Sequence, residues 1–440
     1  MTPRILLIPT AALSLAACSD LPTAPSTPLG KETSPAALVA FRAPPWEGCQ
    51  EGTQPSGALY QICFPAQWNG DVVVWAHGYV APHQPLAVPD DEIDGTPLSA
   101  IINGLGYGYA ATSYRKNGLA ADVAVPDLEE LAGIVDAAAA PRFRLLVGAS
   151  EGGLATALAL ERDAPPFAGG LTTCGPVGSF RGQVNHFGDF RAVFDYFFPG
   201  LLPGDATTVP QEVRDHFFGV YVPRIESALA GSPGKTAQLL SVTRAPTDPA
   251  DPASVNQTVI GNLWYNVFAA DDAVARLGGN PYDNRLRWYT GSANDWLLNF
   301  RIRRYGASAT ALAALQAFET SGALKRPTQS LHTTGDPIVP YWHQPLYQVK
   351  ALAAGTGLTL ISAPVTRYGH CALTQAEVLA SFAVLVLRVS GQNLIASADA
   401  FAAPAARREF LDLAHEQGAA PVLVEPREWD VEAGRQRGRR

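Results

Sequence analysis

Leu145-Leu146-Val147-Gly148-Ala149-Ser150-Glu151-Gly152-Gly153 decides how this chain of 440 residues is read. The three apolar residues predict the end of a buried strand, and Gly153 to Leu160 reads as a helix. Between them stands Gly-x-Ser-x-Gly, the pattern of a nucleophile elbow, in which glycines allow a tight turn that lifts a serine hydroxyl above a sheet edge. The same five residues also fit a plain glycine-rich turn in which Ser150 only caps the helix. Context from the rest of the chain separates the two.

A serine hydroxyl is a weak nucleophile near neutral pH, so it needs a base beside it and an acid that orients the base. The candidate base is His370, in Arg367-Tyr368-Gly369-His370-Cys371 after the apolar run 358–365. Thr374-Gln375-Ala376-Glu377 then reads as a capping box opening a helix over 378–389, which puts His370 on a short loop past a strand end. The candidate acid is Asp336, in Thr334-Gly335-Asp336-Pro337, which fits an ordinary Asp-Pro turn as well. His83, His186, His216, His332, His343 and His415 lack the combination of strand end, glycine and capped helix, and are read as surface or core residues.

A fourth part is a place for a developing oxyanion. Asp71 to Ala76 reads as a buried strand running into His77-Gly78-Tyr79. A glycine there lets the backbone turn, so the amide of Tyr79 would pair with that of Glu151, the residue after the serine. Donors aimed at such a charge are worth about 3 to 4 kcal/mol each. A simple turn is the alternative.

Taken together, over about residues 58–175 and 327–390, the chain resembles the serine esterases and lipases of the α/β-hydrolase superfamily, and the order Ser150, Asp336, His370 is that superfamily's order. The resemblance implies Ser150 as nucleophile, Asp336 as acid, His370 as base, and the backbones of Tyr79 and Glu151 as oxyanion donors. His370-Cys371 is also similar to the tannase and feruloyl esterase group. In that group a cysteine precedes the serine, whereas Ala149 stands here, so that assignment is not adopted.

Apolar runs at 72–75, 108–112, 143–147, 170–173, 329–333 and 358–363 alternate with helical stretches at 97–105, 127–139, 154–162 and 347–353. This alternation predicts a mostly parallel, doubly wound α/β sheet whose site forms at the carboxyl ends of the strands. The expected core is therefore 46–175 and 327–391. Between them, 176–326 loses the alternation and is rich in aromatics, too long for a structureless loop, and is expected to be a mainly helical cap inserted after the sixth strand. Its aromatics are expected to build mostly the cap's own core, with some lining a cleft over Ser150.

Residues 1–17 read as a signal peptide with a short apolar stretch from Ile5, and Leu15-Ala16-Ala17-Cys18 resembles a bacterial lipobox, which implies lipid attachment at Cys18. A plain secretory signal is the alternative. Residues 18–45 then form a tether, and 392–440 a C-terminal extension, partly disordered, to which no function is assigned. The expected location is the exported, membrane-anchored side of a bacterial membrane. Setting Cys18 aside leaves Cys49, Cys63, Cys174 and Cys371, which permit three pairings; Cys49 with Cys63 and Cys174 with Cys371 are favoured.

A net charge of -8 with 16% charged residues argues against a nucleic-acid partner. No metal-ligand spacing or phosphate-cradling loop appears, so no metal and no cofactor are expected. The leading expectation is a serine hydrolase cleaving a small-molecule or polymeric carboxylic ester through an acyl-enzyme. Alternatives are a serine peptidase or aminopeptidase of the same fold, and a binding lipoprotein without turnover.

Overall fold

The computed structural model describes residues 43–391. The signal peptide, Cys18, nearly all of the tether and the C-terminal extension lie outside the described residues. Eight strands form one sheet: β1 (Gly48–Thr53), β2 (Leu59–Phe64), β3 (Val72–Ala76), β4 (Gly108–Thr112), β5 (Arg144–Ala149), β6 (Gly169–Thr173), β7 (Thr328–Gly335) and β8 (Leu360–Tyr368). Their spatial order is β1-β2-β4-β3-β5-β6-β7-β8. β2 runs antiparallel to both of its neighbours, and every pair from β4 to β8 is parallel. This is the α/β-hydrolase fold.

β3, β4 and β6 are buried along their whole length, which is why they read as continuous apolar or small-residue runs rather than alternating ones. Helices cover both faces. One core cluster packs Val72, Val74 and Leu146 with Leu128, Leu131 and Leu160; another packs Val73, Leu145 and Leu171 with Phe382 and Leu385.

The helices Ala121–Ala139 and His343–Ala353 begin four or more residues earlier than the sequence pattern suggests, and each carries a proline ahead of the stretch that reads as helical. The helix Ala121–Ala139 carries Pro126 in its second turn, where a single backbone bond is lost. In His343–Ala353, Pro345 falls in the first turn, whose N–H groups have no helical partner in any case.

Between β6 and β7 the chain forms seven α-helices, the longest being Phe180–Phe197 and Ser254–Leu277. These have an apolar cluster of their own, including Phe190, Phe194, Phe217, Tyr221, Leu263 and Val267. At its centre Arg191 is fully buried with its guanidinium satisfied: it donates to Asp195 (2.8 Å), Asn266 Oδ1 (2.8 Å) and the Leu202 carbonyl (2.6 Å). The aromatics of this segment therefore divide three ways. Phe190, Phe194 and Phe217 are core, Phe187 and Tyr265 face a cavity beside Ser150, and Trp288, Trp296 and Phe300 stand in water.

Cys49 is bonded to Cys63, clasping β1 to β2, and Cys174 to Cys371. The second bond joins the residue after β6 to the residue after His370. Among the described residues no helix is long and apolar enough to cross a membrane.

Candidate active site

β5 ends at Ala149, the helix Glu151–Glu161 begins at once, and Ser150 forms the whole turn with φ 54° and ψ -119°. The left-handed backbone thus falls on the serine itself and not on the glycines, which serve a different purpose. A Cβ on Gly152 would lie 1.9 Å from the Ala76 carbonyl oxygen, and one on Gly148 would lie 2.3 Å from the Gly152 oxygen. The flanking glycines let the elbow press against the end of β3, and the Ser150 N–H, donating to the Thr173 carbonyl (2.9 Å), ties it to β6.

Asp336 follows β7 and His370 follows β8, so three strand ends deliver one hydrogen-bonded series. Asp336 Oδ2 accepts from His370 Nδ1 at 2.7 Å, and His370 Nε2 is 2.9 Å from Ser150 Oγ. This arrangement fixes the tautomer: with the proton on Nδ1, Nε2 is free to accept the serine proton. The other Asp336 oxygen accepts from the backbone N–H groups of Ile338 and Val339, both at 2.9 Å. Burial pushes the Asp336 pKa up, but the charge of His370 and the hydrogen bonds from His332 and His370 outweigh it and hold the carboxyl well below the usual range. The capping box on Thr374 and Glu377 is formed, and Arg367 is paired with Glu377, so the His370 loop is pinned on its helix side as well as by the disulfide.

The shell behind Asp336 is one that sequence reasoning missed. His332 Nε2 donates to the Val339 carbonyl at 2.8 Å and stands 3.5 Å from Asp336 Oδ2. His343, fully buried and held neutral by that burial, accepts from the Gly178 amide and donates to Gln183, whose own amide donates to the Ile338 carbonyl. His186 and Asn262 both donate to the Pro337 carbonyl. The turn carrying Asp336 is thus gripped by side chains of the inserted helices, a relation that leaves no local mark in a sequence.

Tyr79, Ser150 and Glu151 line one cavity of about 120 Å³ between the sheet edge and the inserted helices. Glu151 is the first residue of its helix, so its N–H has no helical acceptor. Phe180, Val184 and Phe187 form one wall and Ala269, Ala270 and Ala273 another. Tyr265 closes the space over the serine: its ring stacks on Phe187 at 4.8 Å, and its hydroxyl faces the Ser150 side chain. The single charged side chain of the lining, Glu151, bonds the amides of Ala120 and Ala121. Its burial pushes its pKa up to about 7.

His77 is buried and stacked on Tyr114 at 4.0 Å, a packing role at the end of β3. Cys174, His370 and Cys371 bring potential metal-ligand atoms together, but the two sulfurs are bonded to each other.

No protein-family model and no curated protein matches this sequence. Among solved structures, the chain is similar to Candida antarctica lipase A, with 15% identity, TM-score 0.42, and 78% of this chain and 77% of that one covered. It is also similar to an esterase of Pyrococcus furiosus, with 12% identity, TM-score 0.37, and 76% and 85% covered. A further likeness is to the acylaminoacyl peptidase of Pyrococcus horikoshii, with 12% identity and TM-score 0.37. There 73% of this chain is covered, and the chain spans 37% of the peptidase's length.

Proposed function

We propose that this protein is a serine hydrolase acting on carboxylic esters. The observation that carries the reading is the unbroken series from Asp336 through His370 to Ser150, with contacts of 2.7 and 2.9 Å. In the proposed reaction Ser150 Oγ attacks the ester carbonyl as its proton passes to His370 Nε2. Asp336 stabilises the imidazolium, and the amides of Tyr79 and Glu151 receive the oxyanion. His370 then gives its proton to the departing alcohol. Water, deprotonated by the same histidine, releases the acid from Ser150.

The inserted helices act as a cap, and the cavity beneath them takes the acyl side of the substrate. A space of about 150 Å³ lined by apolar side chains holds a benzene ring, so the cavity here suits an uncharged acyl group of roughly that bulk. The two disulfides support export to an oxidising compartment, and the Cys18 reading adds a lipid anchor there.

The test is labelling by a fluorophosphonate together with turnover of p-nitrophenyl esters and aminoacyl anilides. Wild type should label and cleave the esters, and Ser150→Ala should lose both by a factor of about 10⁴ or more. Faster cleavage of anilides than esters would favour the peptidase reading. A wild type that neither labels nor turns over would favour the binding lipoprotein.

A further inference from the structure

Five large apolar side chains stand in water within one stretch of the inserted segment, on residues 286–300. Leu286 is fully exposed, Phe300 is 87% exposed, Trp296 78% and Trp288 53%, and Leu297 is exposed as well. The rings of Trp288 and Trp296 meet edge to face with centroids 5.0 Å apart. Trp296 and Phe300 lie one turn apart on the helix Asp295–Arg301, while Leu298 of the same helix is buried in the core.

The surface is built, not frayed. Asn299 donates to the carbonyls of Tyr289 and Asp295 and accepts from the Tyr289 amide, between 2.7 and 2.9 Å. Arg304 donates to the carbonyls of Asn284, Arg287 and Asn299. Beneath, the Tyr289 hydroxyl donates to Asp189 at 2.6 Å. A scaffold with this many fixed bonds holds two indoles and a phenyl ring in water, an unfavourable arrangement unless something covers them.

The fringe of the patch indicates what covers it. Residues 285–304 contain five arginines and one acid, Asp295. Three of the arginines are paired: Arg285 with Asp283, Arg287 with Asp189 and Arg303 with Asp205. Arg301, exposed at the end of the patch helix, has no ion pair among the described residues. Tryptophan and arginine share a preference for the zone where a bilayer passes from hydrocarbon to headgroups, since each has an apolar body and a polar tip. We infer that the surface formed by Leu286, Trp288, Trp296, Leu297 and Phe300 is a membrane-contact patch that enters the headgroup region of a lipid bilayer.

The experiment uses the full chain with phosphatidylcholine vesicles carrying bromine on the acyl chains, which quench tryptophan emission on contact. Quenching is expected in wild type, and Trp288→Phe/Trp296→Phe should remove it while preserving vesicle association. Phe300→Asp should weaken association about tenfold, as expected for losing partial burial of one aromatic ring. Mixing in phosphatidylglycerol should strengthen it by no more than about fivefold, the effect of Arg301, the exposed arginine of the fringe without an ion pair. Circular dichroism of each variant reports folding separately, and neither it nor the vesicle readout depends on labelling or turnover, so failure of the hydrolase reading leaves this test intact. Absence of quenching overturns the proposal. So does quenching that survives the double substitution, which would place lipid contact elsewhere on the chain. A wild-type dimer that Phe300→Asp turns into a monomer without changing vesicle association would overturn it in favour of a second copy on the patch.

Discussion

The elbow at the sheet edge and the helical insertion are held by different physics. At the elbow the backbone does the work: Gly152 lies so close to the end of β3 that no Cβ fits, and the Ser150 amide is fixed to β6. In the insertion side chains do it, with Arg191 satisfied on every side in the middle of an aromatic cluster. A backbone-held site needs particular residues at particular positions and tolerates little. A side-chain-held core needs only the right volumes and a satisfied polar centre, so it can be met by many sequences.

This contrast sets the order of expected effects. Gly152→Ala forces a methyl group into the Ala76 carbonyl and should be the most damaging single change. We expect a loss of over about 4 kcal/mol, with no fluorophosphonate labelling in whatever protein remains folded. Arg191→Met, in the other region, leaves Asp195 and the Leu202 carbonyl without their partner. It should cost about 3 to 5 kcal/mol in chemical denaturation, yet its folded fraction should still label. A Gly152→Ala protein that labels at the wild-type rate would break the distinction.

A smaller effect sharpens it within the elbow. The Glu151 carboxyl, pushed by burial to about 7 from 4.5, keeps its proton in the folded protein at pH values where the unfolded chain has released its own. The associated stability is complete below pH 4.5 and is lost as pH rises to about 7. Glu151→Gln has no such loss and still offers an acceptor to Ala120. Its stability relative to wild type, measured by urea unfolding, should therefore rise across that window by at most about 3 kcal/mol. An unchanged difference from pH 4 to 8 would mean that Glu151 is ionised without penalty.

The same contrast explains what could be read from sequence. Ser150, Asp336 and His370 each follow a strand end, and strand ends are marked by apolar runs and by the glycines the geometry demands. The favoured cysteine pairing was legible too, because Cys174 and Cys371 each follow a strand at the same end of the sheet, with β7 between the two strands. His343 and Gln183 gave no signal, because their contacts join residues more than 150 positions apart; His332 bonds Val339 only seven positions on, through a turn whose shape no residue pattern marks. The aromatic stretch 286–300 reads as cap core by composition. Only its exposure separates Trp296 and Phe300 from Phe190 and Phe194.

In the proposed reaction Ser150 carries the acyl group between the two halves. Wild-type protein mixed with a p-nitrophenyl ester, quenched in acid within milliseconds and digested, should yield the acyl mass on the peptide containing Ser150. That adduct should be absent from Ser150→Ala. Turnover with no adduct, or with the acyl group on another side chain, would contradict the account.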